Sequence, residues 1–371
     1  MIYKKKINVV ITGAEGFIAN NLVQNLEHDP KYLIYKITKK NKKKFLKNYL
    51  LISDVIFHLA GENRPKKNFL FKENNENFTK EICDILIENK IKSKLIYISS
   101  SQVNLKNPYG VSKANTEKII KNFRNKNKTQ VSIIRLPNVF GKWSKYNYNS
   151  FVATLCYKIP RKINFAVNNR NLELVYIDDV ITKLISLLHK KKINIYEKIN
   201  RIHRISVIKI VNLINKFNSK KQDLFVDNLG NNFEKKLYST YLSFLPRNKW
   251  FYKIKINKDN RGDFAEFIKT KNSGQVSIFS INPKESRGGH FHHTKNEKFI
   301  ILNGKVKVFF KNVLTNDKFS KIIESNNNKI FMSIPGWAHK IKNLTSNKIY
   351  GLVWANELLN VNKPDTIKIS I

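Results

Sequence analysis

The first half of the chain alternates short, largely apolar runs with longer segments whose apolar residues recur at helical spacing. Helical patterns include Phe17–Leu26 and Phe78–Glu88. The short runs predict strands at Ile7–Ile11, Leu33–Ile37, Val55–Leu59, Leu95–Ile98 and Val131–Leu136. Strands that alternate with helices are typical of βαβ units, so this half predicts an α/β fold with a parallel sheet.

The pattern changes at about Ile254, where short alternating segments follow one another with turn signals between them. These segments include Gln275–Ile281, Lys298–Leu302, Val306–Phe310 and Ile349–Trp354. Many short strands of this kind predict an all-β sandwich or barrel. We place the join within Leu245–Lys249, which gives predicted domains at residues 1–248 and 249–371. The segment Arg201–Asp227 predicts a helix plus a connection.

The chain of 371 residues has 69 Lys and Arg against 27 Asp and Glu, a formal charge of +42. Proteins that bind nucleic acids concentrate such charge on one face and use Arg for bidentate contacts. Here ten of the basic residues are Arg, and Lys is spread along the whole chain among Asn and Ile. We therefore expect no specific nucleic-acid partner and attribute most of the charge to lysine-biased amino-acid usage.

The two cysteines and the apolar segment near the N-terminus indicate the cellular compartment. Cys83 and Cys156 each lie alone in apolar surroundings, which favours a reducing compartment over a disulfide framework. The apolar stretch Ile7–Ile11 is shorter than the ~7–15 residues of a signal-peptide core. No run approaches the roughly 18 apolar residues of a membrane span. We expect a cytoplasmic protein with no membrane insertion.

Candidate chemistry begins at the first predicted strand, which leads through Gly13-Ala14-Glu15-Gly16 into a helical pattern. Gly13 permits a tight turn, and Gly16 lets the backbone approach a pyrophosphate at the positive end of the helix. Ala19 takes the third position of the motif, which has only to be small. A strand–helix turn of this kind is a weak signal alone, but at the first strand of an alternating chain it predicts a dinucleotide site.

The form of the cofactor is predicted from the end of the second strand. NAD-binding chains carry an acidic residue there, which binds the ribose 2′-hydroxyl. The segment Lys36–Lys40 has no carboxylate, and Lys39 suits a 2′-phosphate. The sequence therefore favours NADPH over NADH.

A second constellation combines the serine run Ser99–Ser101 with Tyr109 and Lys113. The Tyr-x-x-x-Lys spacing places both side chains on one face of a helix. The ammonium is expected to lower the pKa of the phenol, so that Tyr109 can give a proton to a carbonyl oxygen that receives hydride. A serine after the fourth strand could hydrogen-bond the same oxygen.

These motifs, with His58-Leu59-Ala60-Gly61, Arg135–Gly141 and Val175–Val180, resemble the extended short-chain dehydrogenase/reductase (SDR) family of nucleotide-sugar enzymes. The resemblance implies a Rossmann-type domain in which Tyr109, Lys113 and Ser101 are catalytic, with Ser100 as the alternative serine. It implies substrate contacts from Asn138 and Arg135. It implies a cofactor site formed by Gly13, Gly16, Phe17, Ile18, Lys39, Leu59, Ala60, Gly61, Tyr109 and Lys113.

A group of metal-ligating residue types lies in the predicted all-β half. His290 and His292 are two residues apart, so on a strand both face the same side. Glu297 follows after a turn, and His339 could complete the set from another strand. Three neutral imidazoles and a carboxylate suit zinc or another divalent first-row metal. The alternative is a surface histidine cluster, and His293 is expected to face solvent.

The spacing of these residues resembles the two motifs of the cupin family, with Ile334 in place of a usual proline. A cupin (jelly-roll) domain is therefore expected. Asp259–Glu266 and Arg287–His290 are similar to the substrate-binding segments of cupin sugar-nucleotide epimerases, in which a histidine equivalent to His290 is the base. This likeness implies substrate contacts from Arg261, Glu266 and Arg287. We favour the metal role for His290, because one imidazole cannot easily be both ligand and free base.

Over nearly its whole length the chain resembles bacterial bifunctional capsular-polysaccharide enzymes of UDP-N-acetyl-L-fucosamine synthesis, including the segments Tyr146–Ser150 and Leu237–Leu242. The resemblance implies that the cupin domain epimerises carbon 3 of a UDP-2-acetamido-2,6-dideoxy-4-keto-hexose. The SDR domain would then reduce the carbon 4 ketone with NADPH to UDP-2-acetamido-2,6-dideoxy-L-talose. A homodimer is expected. The alternative is a monofunctional NADPH-dependent UDP-sugar reductase with a structural, dimerising metal cupin.

Overall fold

The computed structural model describes residues 6–219, 224–226, 232–358 and 364–371. Contacts divide the chain into two compact units. The first contains the described residues up to 216 together with 232–246, and the second contains those of 217–231 together with 247–371. Each unit has a buried apolar core of its own.

The first unit is built on a five-stranded parallel sheet. Its strands are β1 (Ile7–Thr12), β2 (Tyr32–Ile37), β3 (Val55–His58), β4 (Lys94–Ser100) and β5 (Val131–Leu136). They lie in the order β2-β1-β3-β4-β5, and every neighbouring pair is parallel. The order reverses between β1 and β3, and ligands bind beyond the carboxyl ends of the strands at such a point. The five predicted strands are confirmed, with ends shifted by at most two residues.

Helices pack against the sheet in two apolar clusters. Side chains alternate along β1, so that Val9 and Ile11 lie in one cluster and Val10 in the other. None of the described helices is long and apolar enough to cross a membrane. The described helices are α1 (Phe17–Leu26), α2 (Lys42–Leu51), α3 (Phe69–Phe71), a π-helical turn (Lys72–Asn77), α4 (Phe78–Glu88), α5 (Pro108–Asn127), α6 (Phe151–Lys158), α7 (Ile177–His189), α8 (Val207–Ser219) and α9 (Asn232–Ser243). Of these, α1 and α7 contribute to one cluster and α2, α4 and α5 to the other.

A small second sheet contains β6 (Asn138–Phe140), β7 (Asn171–Tyr176) and β8 (Ile202–Ser206). The prediction of a helix plus a connection over 201–227 missed β8, because Ile205 is its one buried side chain and gives little apolar signal. Helix α8 confirms the helical part of that prediction. Residues 220–223 and 227 of the predicted connection lie outside the described residues.

The second unit consists of two antiparallel sheets. Their orders are β16-β13-β18-β11-β10-β9 and β15-β14-β17-β12-β19, with strands β9 (Asn257–Asp259), β10 (Gly262–Lys269), β11 (Gln275–Ile281), β12 (Ser286–Phe291), β13 (Glu297–Ile301), β14 (Lys305–Asn312), β15 (Lys318–Glu324), β16 (Ile330–Ser333), β17 (Trp337–Asn343), β18 (Ile349–Ala355) and β19 (Ile367–Lys368). Phe279 and Phe299 from one sheet meet Val308 and Ile341 from the other in a shared core. The predicted all-β half is confirmed.

Candidate functional site

A cleft of about 1010 Å³ opens in the first unit, beyond the carboxyl ends of β1, β3 and β4. Helix α1 begins at this cleft. Its N-cap residue is Gly16, and no side chain forms a capping hydrogen bond there. The amide groups of such a helix end attract an anion. The cleft is lined by all residues predicted to bind the cofactor: Gly13, Gly16, Phe17, Ile18, Lys39, Leu59, Ala60, Gly61, Tyr109 and Lys113.

Glycine is required at position 13 by the close approach of two segments. Gly13 has φ +66°, and a Cβ atom there would lie 2.6 Å from Ala60 Cα. Any side chain would therefore separate the turn after β1 from the segment after β3. The two segments that border a dinucleotide in the predicted site are in direct contact here.

Lys39 lies in the cleft but already has an anionic partner. Its Nζ lies 3.1 Å from Oε2 of Glu62, and the Tyr148 hydroxyl donates to Oε1 of the same carboxylate at 3.4 Å. The Lys39 side chain is 80% exposed, so it is free to turn toward another anion. Glu62 therefore competes with any phosphate for this lysine.

The two candidate serines differ in burial and in their effect on Tyr109. Strand β4 continues two residues beyond its predicted end, so Ser100 is still in the strand and buried, and hydrogen bonding by its side chain acts to lower the pKa of Tyr109. Ser101 begins a 3₁₀ turn (Ser101–Asn104), and its side chain is exposed. Both serines line the cleft. Of the two predicted alternatives, the geometry favours Ser100.

Lys113 is buried one helical turn after Tyr109 on α5. Its Nζ donates to the Tyr97 hydroxyl at 3.0 Å and to the Ile98 carbonyl at 3.2 Å. Burial lowers the pKa of Lys113 to about 8, and the charge of Glu117 opposes this. Burial raises the pKa of Tyr109, with the Ser100 hydrogen bond acting in the opposite direction. The expected lowering of the Tyr109 pKa by Lys113 is therefore wrong: at neutral pH the phenol holds its proton, as a proton donor must.

Gly61 leaves room for the Lys113 ammonium. A Cβ atom at position 61 would lie 3.2 Å from Lys113 Nζ and 3.3 Å from Asn75 Oδ1. We expect Gly61→Ala to lower kcat for any reaction that uses Tyr109 and Lys113 by about tenfold, and Gly61→Val by more, because a misplacement of about 1 Å can cost 10²-fold. Steady-state kinetics of the graded pair checks this, and an unchanged kcat in Gly61→Val would contradict it.

Of the two predicted substrate contacts in this unit, one lies in the cleft. Asn138 lines it at the start of β6. Arg135 instead forms a two-point ion pair with Glu117, at 2.9 and 2.6 Å, and Tyr196 donates to the same carboxylate. The prediction for Arg135 is thus not supported, because its guanidinium is committed to holding α5 against β5.

In the second unit, the four predicted metal ligands converge. One ligand atom from each of His290, His292, Glu297 and His339 lies within 4.8 Å of the others. Oε2 of Glu297 is 3.4 Å from Nε2 of His292 and 3.5 Å from Nε2 of His339. His293 is exposed, as predicted. Strand β12 supplies His290, the following turn supplies His292, and β13 and β17 supply the other two.

The donor set fits a divalent metal. His292 Nε2 and Glu297 Oε2 are buried without a hydrogen-bond partner among the described residues, which proteins otherwise avoid. Burial lowers the pKa of His290 to about 4 and of His339 to about 3, so both are neutral at pH 7. Burial works to raise the pKa of Glu297, and His292 and Lys295 bring it down to about 2. Ligand atoms around tetrahedral zinc lie roughly 3.3 Å apart, close to the separations of Glu297 Oε2 from His292 and His339.

The predicted substrate arginines meet at Asp259. Arg261 Nη2 lies 2.6 Å and Arg287 Nη2 3.5 Å from its carboxylate. Arg287 Nη2 is buried without a hydrogen-bond partner among the described residues, which leaves a donor for an anionic ligand. Glu266 is paired with Lys269 at 2.6 Å, so the structure does not bring it to either arginine.

Three residues of these sites carry no prediction from the sequence. Tyr97 lies two residues before Ser99, and Glu62 directly follows Gly61. Their positions on β4 and after β3 could therefore have identified them as residues of the site. Asp365 binds the turn after His292 from more than seventy residues away, and nothing local reports such a contact. Burial acts to raise the pKa of Asp365, and hydrogen bonds from that turn hold it well below the ordinary value.

Similar proteins cover both units. The model of the NAD dependent epimerase/dehydratase family matches residues 9–200, and that of the polysaccharide biosynthesis C-terminal domain matches 257–367. A relative from Pseudomonas aeruginosa, a UDP-2-acetamido-2,6-beta-L-arabino-hexul-4-ose reductase, is 36% identical over 368 residues, 98% of this chain and 99% of its own.

Solved structures agree. The capsular polysaccharide assembling protein CapF from Staphylococcus aureus has a TM-score of 0.91 and 36% identity, covering 98% of this chain and 100% of its own. A UDP-N-acetylglucosamine 4-epimerase from Methanobrevibacter ruminantium has a TM-score of 0.55 at 20% identity, covers 65% of this chain and 99% of its own, and shares the fold. The predicted fold class and the resemblance to capsule-synthesis enzymes are confirmed. The chain belongs to the NAD dependent epimerase/dehydratase family and carries a polysaccharide biosynthesis C-terminal domain.

Proposed function

We propose that the first unit reduces the carbon 4 ketone of a UDP-2-acetamido-2,6-dideoxy-hexulose with NADPH. The observation that carries the proposal is the cleft that Ser100, Tyr109 and Lys113 line together with the glycine turn after β1, with Lys113 Nζ 6.0 Å from the centre of the Tyr109 ring. The reductase named for the P. aeruginosa relative acts on such a 4-keto sugar and matches the chain end to end.

The residues divide the work of reduction among them. Bound NADPH supplies the hydride. The protonated Tyr109 gives its proton to the carbonyl oxygen as that oxygen gains charge, and Ser100 donates a second hydrogen bond to it. The Lys113 side chain, one helical turn from Tyr109, holds the ribose of the cofactor. Asn138, which also lines the cleft, would contact the sugar.

We infer that the second unit epimerises carbon 3 of the same substrate before reduction. Carbon 3 is α to the ketone, so its proton can be removed and returned to the opposite face. A divalent cation, zinc by its donor set, would be held by His290, His292, Glu297 and His339 and would stabilise negative charge on the ketone oxygen. Arg287 and Arg261 would bind the nucleotide diphosphate.

Fusion of the two activities keeps a reactive keto intermediate at high local concentration. The product is then UDP-2-acetamido-2,6-dideoxy-L-talose, on the route to UDP-N-acetyl-L-fucosamine for capsule synthesis. We propose a cytoplasmic homodimer, and the two free, buried cysteines support a reducing compartment. A structural, dimerising metal cupin on a plain reductase remains the second candidate, supported by the burial of three of the four ligands, His292, Glu297 and His339.

Lys39 and Glu62 are expected to set the preference for NADPH. Lys39→Ala should weaken NADPH binding by about tenfold and leave NADH nearly unchanged, since the lysine would pair with the 2′-phosphate alone. Glu62→Gln keeps the shape but removes the competing charge, so it should tighten NADPH binding several-fold. Fluorescence titration with both cofactors checks this. Lys40→Ala, an exposed lysine next in the chain, is the control. Equal losses for NADPH and NADH in Lys39→Ala would contradict the assignment.

The reduction itself is tested with NADPH deuterated at the transferable position. The wild-type protein should place that deuterium on carbon 4 of the UDP sugar, with one NADPH oxidised for each product formed. NADPH that is not oxidised in the presence of the 4-keto sugar would overturn the proposed function.

A further inference from the structure

Asp365 binds the turn that joins two metal-ligating segments. Its carboxylate accepts the amide of His293 at 2.9 Å, that of Thr294 at 2.8 Å and that of Lys295 at 2.9 Å. The Thr294 hydroxyl is a further donor at 3.2 Å. One side chain thus accepts three of the four backbone amides between His292 and Glu297, and the fourth, that of Asn296, donates to Asn356 Oδ1. Three N–H groups directed at one carboxylate fix the path of that connection.

The backbone of Asp365 acts on His292 itself. Its carbonyl oxygen hydrogen-bonds Nδ1 of the imidazole, whose residue is 1% exposed. A carbonyl oxygen can only accept, so Nδ1 must carry the proton and Nε2 must present its lone pair. That Nε2 is the buried, unpartnered atom 3.4 Å from Glu297 Oε2. Asp365 therefore selects the tautomer that a metal requires.

The residues after Asp365 form a strand, β19, that pairs with β12, the strand that carries His290. In β19, Lys368 pairs with His290 and Ile367 with Phe291. The amide of Ile369 donates to the Gly289 carbonyl at 3.0 Å. The last described segment, 364–371, is thus bound to both ends of the piece of chain that carries His290 and His292.

We propose that Asp365 is a positioning residue of the metal centre. Its carbonyl sets the tautomer of His292, and its carboxylate holds the 293–295 turn so that His292 and Glu297 stay at a metal-binding separation. This inference rests on the proposed metal site. A cap that stabilised the turn alone would leave the coordination of the metal unchanged, which makes the two roles separable.

The test uses the full-length protein loaded with Co²⁺, whose visible absorption reports ligand geometry. Asp365→Ala should shift that spectrum and weaken Co²⁺ binding by about 10- to 100-fold, the usual effect of losing a partner of a ligand. Asp365→Asn keeps one acceptor oxygen and should show a smaller shift of the same kind. Glu324→Ala is the control, because it removes a carboxylate from the same unit at a distance from the metal ligands. Glu324 pairs with Lys305 at the start of β14, whereas the ligand His339 lies opposite Phe310, near the other end of that strand.

Three results separate the possibilities. Wild-type spectra and affinities in both Asp365 variants, with metal lost in His292→Ala, would overturn this inference and leave the metal site standing. Wild-type Co²⁺ binding in His292→Ala would overturn the proposed metal site itself. If Asp365→Ala does not fold, as judged by thermal unfolding of the metal-free protein, the spectrum of Asp365→Asn decides.

Discussion

Tyr109→Phe is expected to lower the rate of NADPH oxidation by roughly 10²- to 10⁴-fold, the contribution of a positioned general acid. The ring that packs against Phe71 is kept, so the loss reports the hydroxyl alone. Because that hydroxyl lies in the first unit, hydrogen exchange at carbon 3 of the sugar should continue at its wild-type rate. Stopped-flow absorbance measures the reduction, and NMR in deuterated water measures the exchange.

The serines supply a matched pair for this experiment. Ser100→Ala removes the hydroxyl that is bonded to Tyr109 and should slow reduction by about 10- to 100-fold. Ser101→Ala removes the exposed neighbour and should change it by less than about twofold. A larger loss of reduction rate in Ser101→Ala than in Ser100→Ala would instead identify Ser101 as the catalytic serine, as the family pattern favours. Loss of both reduction and exchange in Tyr109→Phe would show that the two activities are not divided between the units as proposed.

His339→Ala is expected to abolish the bound metal and to slow exchange at carbon 3 by at least about 100-fold. The substitution removes one of four ligands and leaves the buried Glu297 carboxylate without one of its imidazole neighbours. Stabilisation of the ketone oxygen by a cation amounts to several kcal/mol, and each ~1.4 kcal/mol is a factor of ten in rate. Metal content by mass spectrometry and deuterium exchange by NMR are measured on the same sample.

His293→Ala is the control for this variant. His293 is exposed beside the same site and contributes its amide, not its ring, to the turn bound by Asp365. It should keep both metal and exchange, and NADPH binding should be unchanged in both variants. Exchange that persists in metal-free His339→Ala would contradict a part for the metal in exchange at carbon 3.

Much of this fold follows from local pattern. Buried parallel strands are short apolar runs, so β1 and β5 could be bounded from their own residues. The glycine turn and the Tyr-x-x-x-Lys pair could be placed because their geometry is set within a few residues. His290, His292 and Glu297 are likewise close in sequence, and His339 was found from its motif.

What the sequence does not predict depends on contacts between distant segments. The choice between Ser100 and Ser101 depends on where β4 ends, and strand ends are set by pairing with β5. The pKa of Tyr109 depends on burial, which raises it more than the Ser100 hydrogen bond lowers it. Arg135 lies in a family motif, but its guanidinium forms an ion pair with Glu117 on α5, and the motif does not indicate this partner. The role of Asp365 needs two segments about seventy residues apart to be brought together.

The central claim, that one chain both epimerises and reduces, is tested most directly by incubating the wild-type protein with the UDP-linked 4-keto sugar and NADPH in deuterated water. The account predicts one solvent deuterium at carbon 3 of the product, inverted stereochemistry at that carbon, and hydride from NADPH at carbon 4. Oxidation of NADPH to a product without deuterium at carbon 3 would contradict it.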